Sequence, residues 1–249
     1  MTEKQVTAGI IITGNEVLSG RTKDENLSYI AKKLGGLGIK IVEARIIADV
    51  EAHIIKTVLE YSKTFDYVFT TGGIGPTHDD ITAACIAKAF NTKLEENAEV
   101  LQLLEDRWGK VVAGDNRKIM AMAPVGAKLI YNPISGAPGF ILENVYVMAG
   151  IPEIMRAMLD GVLASLRHGA PILAKTVRCF LGESVIADGL AEIQNNHPEI
   201  EIGSYPFWNH GSFGASIVMR GTNNQEIIKV VQEVSDLIIK LGGKPTIED

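Results

Sequence analysis

The residues best suited to chemistry lie in the glycine-rich segment 70–80, whose sequence is TTGGIGPTHDD. An apolar run at 67–69 precedes it, and a stretch typical of a helix follows at 81–90. A glycine-rich turn between a strand and a helix lets backbone N–H groups surround a phosphate. The adjacent carboxylates of Asp79 and Asp80 would repel a bare phosphate unless a divalent cation lay between them. The segment therefore predicts a phosphate-bearing ligand bridged by a metal ion.

Simpler interpretations of this segment stay open. Gly72, Gly73 and Gly75 would suit a tight turn in any α/β protein, because glycine adopts positive φ freely. Their spacing matches neither the GxGxxG fingerprint nor a Walker A loop, since no Gly-Lys-Ser/Thr follows. Thr77 as a helix N-cap, with Asp80 three residues later, would explain that acid without catalysis. We favour a functional role for Asp80, because open α/β sheets bind ligands at the carboxyl ends of strands. For Asp79 the functional and the structural interpretation have equal weight.

Two further acids follow predicted strands and should open on the same sheet edge. The turn 13–16 ends the first strand with Glu16, and Asp49 ends the second. Converging carboxylates suit Mg²⁺-type cations, which prefer oxygen ligands and substrate phosphates. Glu16 could hold a metal or a ribose hydroxyl, and a solvated turn acid is the alternative. We predict that Asp80, Asp79 and Asp49 are catalytic and that Asp80 and Asp49 hold the metal.

Alternating strand and helix patterns position these turns. Apolar and β-branched runs at 6–12, 39–47 and 67–71 predict strands, and apolar residues at helical spacing lie between them. This alternation predicts an α/β fold with a largely parallel sheet covered on both faces. Further predicted elements are helices at 80–90, 97–108 and 152–166 and strands at 140–142 and 145–148.

The pattern changes after the segment 167–171, whose sequence RHGAP is typical of a domain boundary. The predicted elements beyond it are a strand at 172–181, a helix at 183–195, strands at 199–206 and 213–219, and a helix at 224–241. This βαββα order predicts a small α+β domain. We therefore predict two domains, 1–168 and 171–249.

Composition and charge exclude several classes of protein. The 249 residues are 46% hydrophobic and carry a formal net charge of −6, which disfavours sequence-independent binding to nucleic acid or to an anionic membrane. The two cysteines have no paired spacing, so neither a disulfide framework nor a zinc knuckle is predicted. The apolar run 10–12 is too short for a signal peptide or a membrane span, so we expect a cytoplasmic protein.

Taken together, several segments resemble the molybdopterin-binding (molybdenum-cofactor biosynthesis) domain family. Within it they are most similar to the N-terminal region of CinA-like (competence/damage-inducible) proteins. The matching segments are GNEVL at 14–18 with Gly20, TGGIGPTHDD at 71–80, NRK at 116–118, NPISGAPG at 132–139 and GIPEIM at 150–155. They occur in the same order and span about residues 6–167. The second domain resembles the next region of the same proteins through weaker motifs.

The resemblance implies a three-layer α/β/α fold with a nucleotide or pterin phosphate in the predicted crevice. The residues expected to bind that ligand are Gly14, Glu16, Thr71, Gly72, Gly73, Gly75, Pro76, Thr77, Lys118, Asn132, Ser135, Gly136, Ala137, Pro138 and Gly139. Asn15 and Ser135 stand where CinA-like relatives usually have threonine, which weakens the transfer of substrate preference. The chain ends at 249, so the amidase region of CinA-like proteins is not expected in it.

CinA-like proteins are associated with divalent-metal-dependent hydrolysis of the pyrophosphate in ADP-ribose, and a similar domain of animal FAD synthases with FAD hydrolysis. The resemblance thus implies a hydrolase that uses Mg²⁺, Mn²⁺ or Co²⁺. Related domains instead bind, adenylylate or metallate molybdopterin, which is the alternative function and makes molybdopterin an alternative ligand. Relatives commonly self-associate, so a homo-oligomer, a dimer or a trimer, is expected.

Overall fold

The first part of the chain is built on a six-stranded sheet of short apolar strands. The computed structural model describes residues 5–209 and 211–248 and divides the chain into two units, Met1–Gly169 and Ala170–Asp249. The predicted boundary between residues 168 and 171 lies at this division. The strands of the first unit are β1 (Val6–Thr13), β2 (Ile39–Ile47), β3 (Tyr67–Thr71), β4 (Leu94–Glu96), β5 (Met122–Pro124), β6 (Lys128–Ile130), β7 (Gly139–Leu142) and β8 (Val145–Met148).

The order of the strands in the main sheet is β2-β1-β3-β8-β7-β6. The first four of these are parallel, and β7 and β6 are antiparallel additions at one edge. This confirms the predicted mostly parallel α/β sheet. The chain leaves β1 to form β2 on one side and then returns to form β3 on the other. The carboxyl ends of β1 and β3 therefore flank a topological switch point, which is where open sheets bind ligands.

Helices cover both faces of this sheet and make three layers. Successive side chains of a strand point to opposite faces. Ile10 and Ile12 pack in one core with Ile30 and Met158, whereas Ile11 packs in another core on the opposite face. The helices of the first unit are α1 (Asn15–Leu18), α2 (Asn26–Gly36), α3 (Glu51–Thr64), α4 (Thr82–Ala89), α5 (Ala98–Trp108), α6 (Arg117–Met120) and α7 (Pro152–Val162).

The second unit is a smaller α+β domain. Its elements are β9 (Leu173–Cys179), α8 (Glu183–Asn196), β10 (Glu201–Asn209), β11 (Ser212–Gly221), α9 (Asn224–Lys240) and β12 (Thr246–Glu248). The sheet has the order β10-β11-β9-β12, and every pairing in it is antiparallel. The predicted βαββα order is confirmed, with β12 as one further strand. Buried residues of α9 recur at helical spacing from Ile227 to Ile238 and pack on this sheet.

Within the described ranges, every helix is too short or too polar to cross a bilayer.

Candidate ligand-binding cleft

A cleft of about 600 Å³ opens at the carboxyl ends of the parallel strands of the first unit. The loops that follow β1, β3 and β8 meet there. A Cβ atom on Gly72 would lie 2.3 Å from the carbonyl oxygen of Thr13, and one on Gly150 would lie 3.3 Å from the Cα of Gly72. Gly72 also has a φ of +101°. Only glycine lets these loops approach so closely in that conformation.

Most of the predicted site residues lie along this cleft. Those that line it are Gly14, Glu16, Asp49, Gly72, Gly73, Gly75, Pro76, Thr77, Asp79, Asp80, Ser135 and Ala137. The three predicted catalytic acids are thus brought to one cleft with the glycine-rich turn. The predicted residues outside its lining are Thr71, Lys118, Asn132, Gly136, Pro138 and Gly139.

Hydrogen bonds within the turn hold Thr77, Asp79 and Asp80 together. The backbone N–H of Thr77 donates to the Asp80 carboxylate at 2.8 Å, and the Thr77 hydroxyl lies within hydrogen-bond distance of both carboxylates. Its bond to Asp79 lowers the pKa of that carboxyl below its usual value. The helix itself begins later than predicted, because Ile81 and not Thr77 is the N-cap of α4. Asp80 therefore stabilises the turn before the helix while its carboxylate lines the cleft.

The other two acids of the cleft are also held by local contacts. The Asp49 carboxylate accepts a hydrogen bond of 2.9 Å from the backbone N–H of Asn15. The Glu16 side chain folds back over Gly14, where a Cβ atom would lie 2.6 Å from its Oε1. In the described part of the chain, no three acids of the cleft bring ligand oxygens within 4.8 Å of one another. The cleft therefore offers a cation two protein carboxylates at most, and water or ligand phosphates would complete its shell.

Residues at the start of α7 line the same cleft. Gly150, Ile151, Pro152 and Ile154 line it, and Pro152 occupies the first turn of a helix whose N-cap residue provides no side-chain hydrogen bond. The first N–H groups of a helix have no partner inside the helix and attract anions. The sequence predicts a helix that starts at this position after the strand 145–148. The strand β8 is parallel to β3, which is parallel to β1, so it ends at the same sheet edge.

Arg117, and not Lys118, is the basic residue that lines the cleft. Adjacent residues on the helical turn α6 point in different directions, and the Lys118 ammonium lies 3.5 Å from the Glu96 carboxylate. The Arg117 guanidinium pairs with Asp115, which raises the pKa of Arg117, and donates to the carbonyl oxygens of three residues, 108–110. It holds this loop together, so few of its donors remain for a phosphate. The sequence offers Lys118 or Arg117 as the phosphate contact; Arg117 lines the cleft and Lys118 does not, and the contact of either residue with a phosphate stays a prediction.

The segment 132–139 provides two lining residues of the cleft, Ser135 and Ala137, and supports them by local contacts. The Asn132 side chain is buried and bonds to the Ser135 hydroxyl and the Ala137 carbonyl oxygen, and it accepts from two backbone amides of the turn. Gly136 has a φ of +81° and packs against Arg107. Gly139 belongs to β7, and Thr71 is buried at the end of β3. Asn132 and Gly136 therefore hold Ser135 and Ala137 in place without lining the cleft themselves.

Trp108 is a residue of the cleft that was not predicted. It ends α5, its side chain is 57% exposed, and its indole N–H donates to the Ser135 carbonyl oxygen at 2.8 Å. An exposed tryptophan fixed by its one polar atom offers a flat ring at the edge of the cleft. Its position could not be inferred from sequence, because it depends on how α5 packs against the segment 132–139.

Comparison with known proteins places both units. The family model described as "probable molybdopterin binding domain" matches residues 9–168, and that described as "FAD synthase, middle domain" matches residues 171–241. A protein of Archaeoglobus fulgidus is 35% identical over 231 residues, which cover 92% of this chain and 96% of that protein. A CinA-like protein of Flavobacterium psychrophilum is 32% identical over 97% of this chain, and the match covers only 62% of that relative.

A solved structure shows the same fold for the first unit. It is that of the protein CinA, of unknown function, from Thermoplasma acidophilum, which is 28% identical with a TM-score of 0.62 and covers 65% of this chain and 99% of that chain. The resemblance predicted from the motifs is therefore confirmed by the family match and by CinA-like relatives. The chain belongs to the molybdopterin-binding domain family and is similar to CinA-like proteins across both of its units.

Proposed function

We propose that the cleft binds a small molecule in which a phosphate group is attached to a flat heterocycle, with molybdopterin as the first candidate. The observation that carries the proposal is that the turn 72–77 and the start of α7 line one cleft. The N–H groups of Gly72 and Thr77 bond within the protein, so the amides that we assign to a phosphate are those of residues 73–75 and of the first turn of α7 after Pro152. Membership of the molybdopterin-binding domain family supports the same ligand class. The amides provide a phosphate site where free basic side chains are scarce.

Trp108 and apolar side chains provide the site for the heterocycle. Ile74, Met120, Ile151 and Ile154 line the same cleft as the exposed indole. A planar pterin or purine ring stacks well on an indole face, and such stacking contributes about 1–3 kcal/mol in comparable sites for nucleobases. The ligand therefore spans the cleft with its ring near Trp108 and its phosphate near the amides.

Calorimetric titration of the full chain with molybdopterin, ADP-ribose and FAD tests this proposal. We expect Trp108→Ala to weaken binding about 5-fold or more, because stacking is lost. Trp208→Ala is the matched control, since Trp208 is 61% exposed and lies in the second unit. Equal affinities for the wild type and Trp108→Ala, or no binding of any of the three ligands, would contradict the proposal.

A second candidate function is hydrolysis of a nucleotide pyrophosphate linkage, as in ADP-ribose. The four acids that line the cleft favour it, because amides alone would suffice to bind a phosphate. Thr77 contacts only Oδ1 of Asp79 and Oδ2 of Asp80, so the second oxygen of each carboxylate is left by Thr77 for a cation. Asp80 and Asp49 would hold Mg²⁺, Mn²⁺ or Co²⁺, and Asp79 or Glu16 would orient a water molecule. When bound, such an ion neutralises charge on the leaving phosphate and activates water.

Release of AMP from ADP-ribose and from FAD in the presence of each cation, followed by chromatography, distinguishes hydrolysis from binding alone, because cleavage of the pyrophosphate linkage leaves one phosphate on each product. We expect Asp80→Asn to lower turnover about 100-fold by analogy with lost electrostatic stabilisation. Asparagine keeps an oxygen that can accept the Thr77 N–H, so the turn is preserved. Asp106→Asn, an exposed site on α5, is the control. Binding without cation-dependent turnover would leave the binding proposal and remove hydrolysis.

A further inference from the structure

A cluster of ionisable side chains in the second unit surrounds one buried imidazole. His197 is the C-cap residue of α8, and its side chain is only 6% exposed. Its Nε2 lies 3.0 and 3.1 Å from the two carboxylate oxygens of Glu233. Its Nδ1 lies 3.6 Å from Glu226 and 3.8 Å from Glu199. The ring therefore makes a hydrogen bond on one side and faces two carboxylates on the other.

The hydrogen bond to Glu233 determines what the opposite nitrogen can do. When Nε2–H donates to a carboxylate, the neutral ring presents the Nδ1 lone pair, as in the carboxylate–histidine–metal arrangement of metalloproteins. The Nδ1 distances to Glu226 and Glu199 exceed those of hydrogen bonds. They resemble the separation between ligands of one ion, since two atoms about 2.0–2.1 Å from a tetrahedral metal lie about 3.4 Å apart. One ligand atom from each of the three residues lies within 4.8 Å of the other two.

The net negative charge of the cluster also favours binding of a cation. Over the residues that the structure describes, none of the three glutamates has a lysine or arginine nitrogen within 4 Å of its carboxylate, and the basic group that they face is the His197 ring. Three carboxylates around one buried ring leave a local excess of negative charge even if the ring is protonated. A divalent ion among Nδ1, Glu199 and Glu226 would offset that excess and use the Nδ1 lone pair.

The local fold holds these side chains in position. Glu226 and Glu233 are seven residues apart and therefore lie on the same face of α9. Asn223 caps that helix through the N–H groups of Gln225 and Glu226. The His197 carbonyl oxygen accepts the Ile200 N–H at 3.1 Å, which fixes the turn that carries Glu199. Two helices and one turn thus present the cluster without a long flexible segment.

We propose that His197, Glu199 and Glu226 bind a divalent transition-metal ion of the Zn²⁺ class, with Glu233 orienting the imidazole. One nitrogen and carboxylate oxygens are ligands that zinc accepts. Three protein ligands leave one tetrahedral position for water. The ion links the end of α8 to the first turn of α9 and stabilises the second unit. This site is separate from the cleft, whose lining residues all belong to the first unit.

Metal titration of the full chain tests this proposal. After treatment with a chelator, Zn²⁺ is titrated by calorimetry, and Co²⁺ is titrated by its visible absorption. Loss of a residue that orients a metal ligand typically lowers the affinity by about 10- to 100-fold, and we expect Glu233→Gln to lower the Zn²⁺ affinity by about 10-fold. Glu226→Gln and His197→Gln each remove a ligand, so we expect them to lower it by more than about 100-fold. Glu192→Gln, an exposed glutamate of α8, is the control. Asp80→Asn, which changes the cleft alone, should leave this affinity unchanged.

A substitution of the exposed ligand Glu199 separates loss of a metal ligand from misfolding as the cause of weaker Zn²⁺ binding. If circular dichroism shows that His197→Gln does not fold, Glu199→Gln removes a ligand at a surface position and should lower the affinity by more than about 10-fold. Unchanged affinity in Glu199→Gln and Glu226→Gln would overturn the proposal. If neither the wild type nor Asp80→Asn binds Zn²⁺, the proposal is overturned as well.

Discussion

At the scale of single residues, two glycines decide whether the turn after β3 can form. Gly72 and Gly73 have φ values of +101° and +68°. A Cβ atom on Gly73 would lie 2.2 Å from the hydroxyl oxygen of Thr82, which itself bonds to the Gly72 carbonyl oxygen. The glycine pair is therefore required by backbone conformation and by close approach, independently of any ligand.

Substituting Gly73 should both destabilise the first unit and impair ligand binding. A non-glycine residue in this backbone region costs about 1–3 kcal/mol, and the contact with Thr82 adds to that cost. We expect Gly73→Ala to lower the free energy of unfolding by at least this amount, as measured by urea denaturation. Gly35→Ala is the control, because Gly35 lies in α2 with no atom within 4 Å of an added Cβ. It should stabilise the protein by about 0.4–1 kcal/mol, so destabilisation of both variants alike would contradict the argument.

The acidic residues show how far the sequence could predict single positions. The Asp80 carboxylate accepts the Thr77 N–H in the turn before α4 and also lines the cleft, and its catalytic role stays a prediction. The same-edge rule for parallel strands was enough to bring Asp49 and Glu16 to that cleft. It could not tell Lys118 from Arg117, because the direction of each side chain depends on α6, a single helical turn. Trp108 could not be predicted at all, since its place depends on tertiary packing.

At the scale of elements, length and apolar content decided which ones the sequence could predict. The strands β7 and β8 have only four residues each but are apolar, and they were predicted. The long helices and the central strands carry periodic apolar patterns and were predicted close to their bounds. The elements β4, β5, β6, α1 and α6 have only three or four residues each, which is too few for a period to show. The strand β12 was missed for the same reason. Its pairing with β9 depends on a contact distant in sequence.

Asp66 connects three elements of the first unit and should make stability depend on pH. It precedes β3, accepts from the N–H and hydroxyl of Thr7 in β1, and pairs with Arg167 beyond α7. The Thr7 N–H, as the largest cause, lowers the pKa of Asp66 below its usual value. The pKa of an aspartate in an unfolded chain is about 3.9. The contribution is therefore fully present above that pH and is lost as the pH falls through the lower folded pKa.

Asp66→Asn should reveal this contribution. We expect a loss of about 1 kcal/mol or more in the free energy of unfolding at pH 7, because the partly buried amide and hydroxyl of Thr7 lose their charged acceptor. The difference from the wild type should shrink well below about pH 3.9, as the pH falls through the lowered folded pKa and the wild-type carboxylate also takes up a proton. Urea denaturation at pH 7 and at such an acid pH measures it, with Asp106→Asn as the surface control. A difference that stays constant between the two pH values would show that the charge of Asp66 has no part in it.

At the scale of the whole molecule, each unit has its own core and its own candidate site. The buried residues of the second unit form one cluster, and those of the first unit form separate clusters. The cleft belongs to the first unit and the His197 cluster to the second. A ligand stabilises only the folded structure that binds it, so each ligand should act on a different unfolding transition.

Differential scanning calorimetry of the full chain should separate these two transitions. A ligand at 100 times its dissociation constant stabilises its unit by about 2.7 kcal/mol. For a unit as small as the second, this corresponds to a rise of about 10–20 °C in its transition on adding Zn²⁺, and for the first to about 5–10 °C on adding the cleft ligand. His197→Gln should abolish only the rise caused by Zn²⁺, and Trp108→Ala should reduce only the rise caused by the cleft ligand. One transition that moves with both ligands would mean that the units unfold together, since independent units cannot share the stabilisation of a ligand bound to one of them.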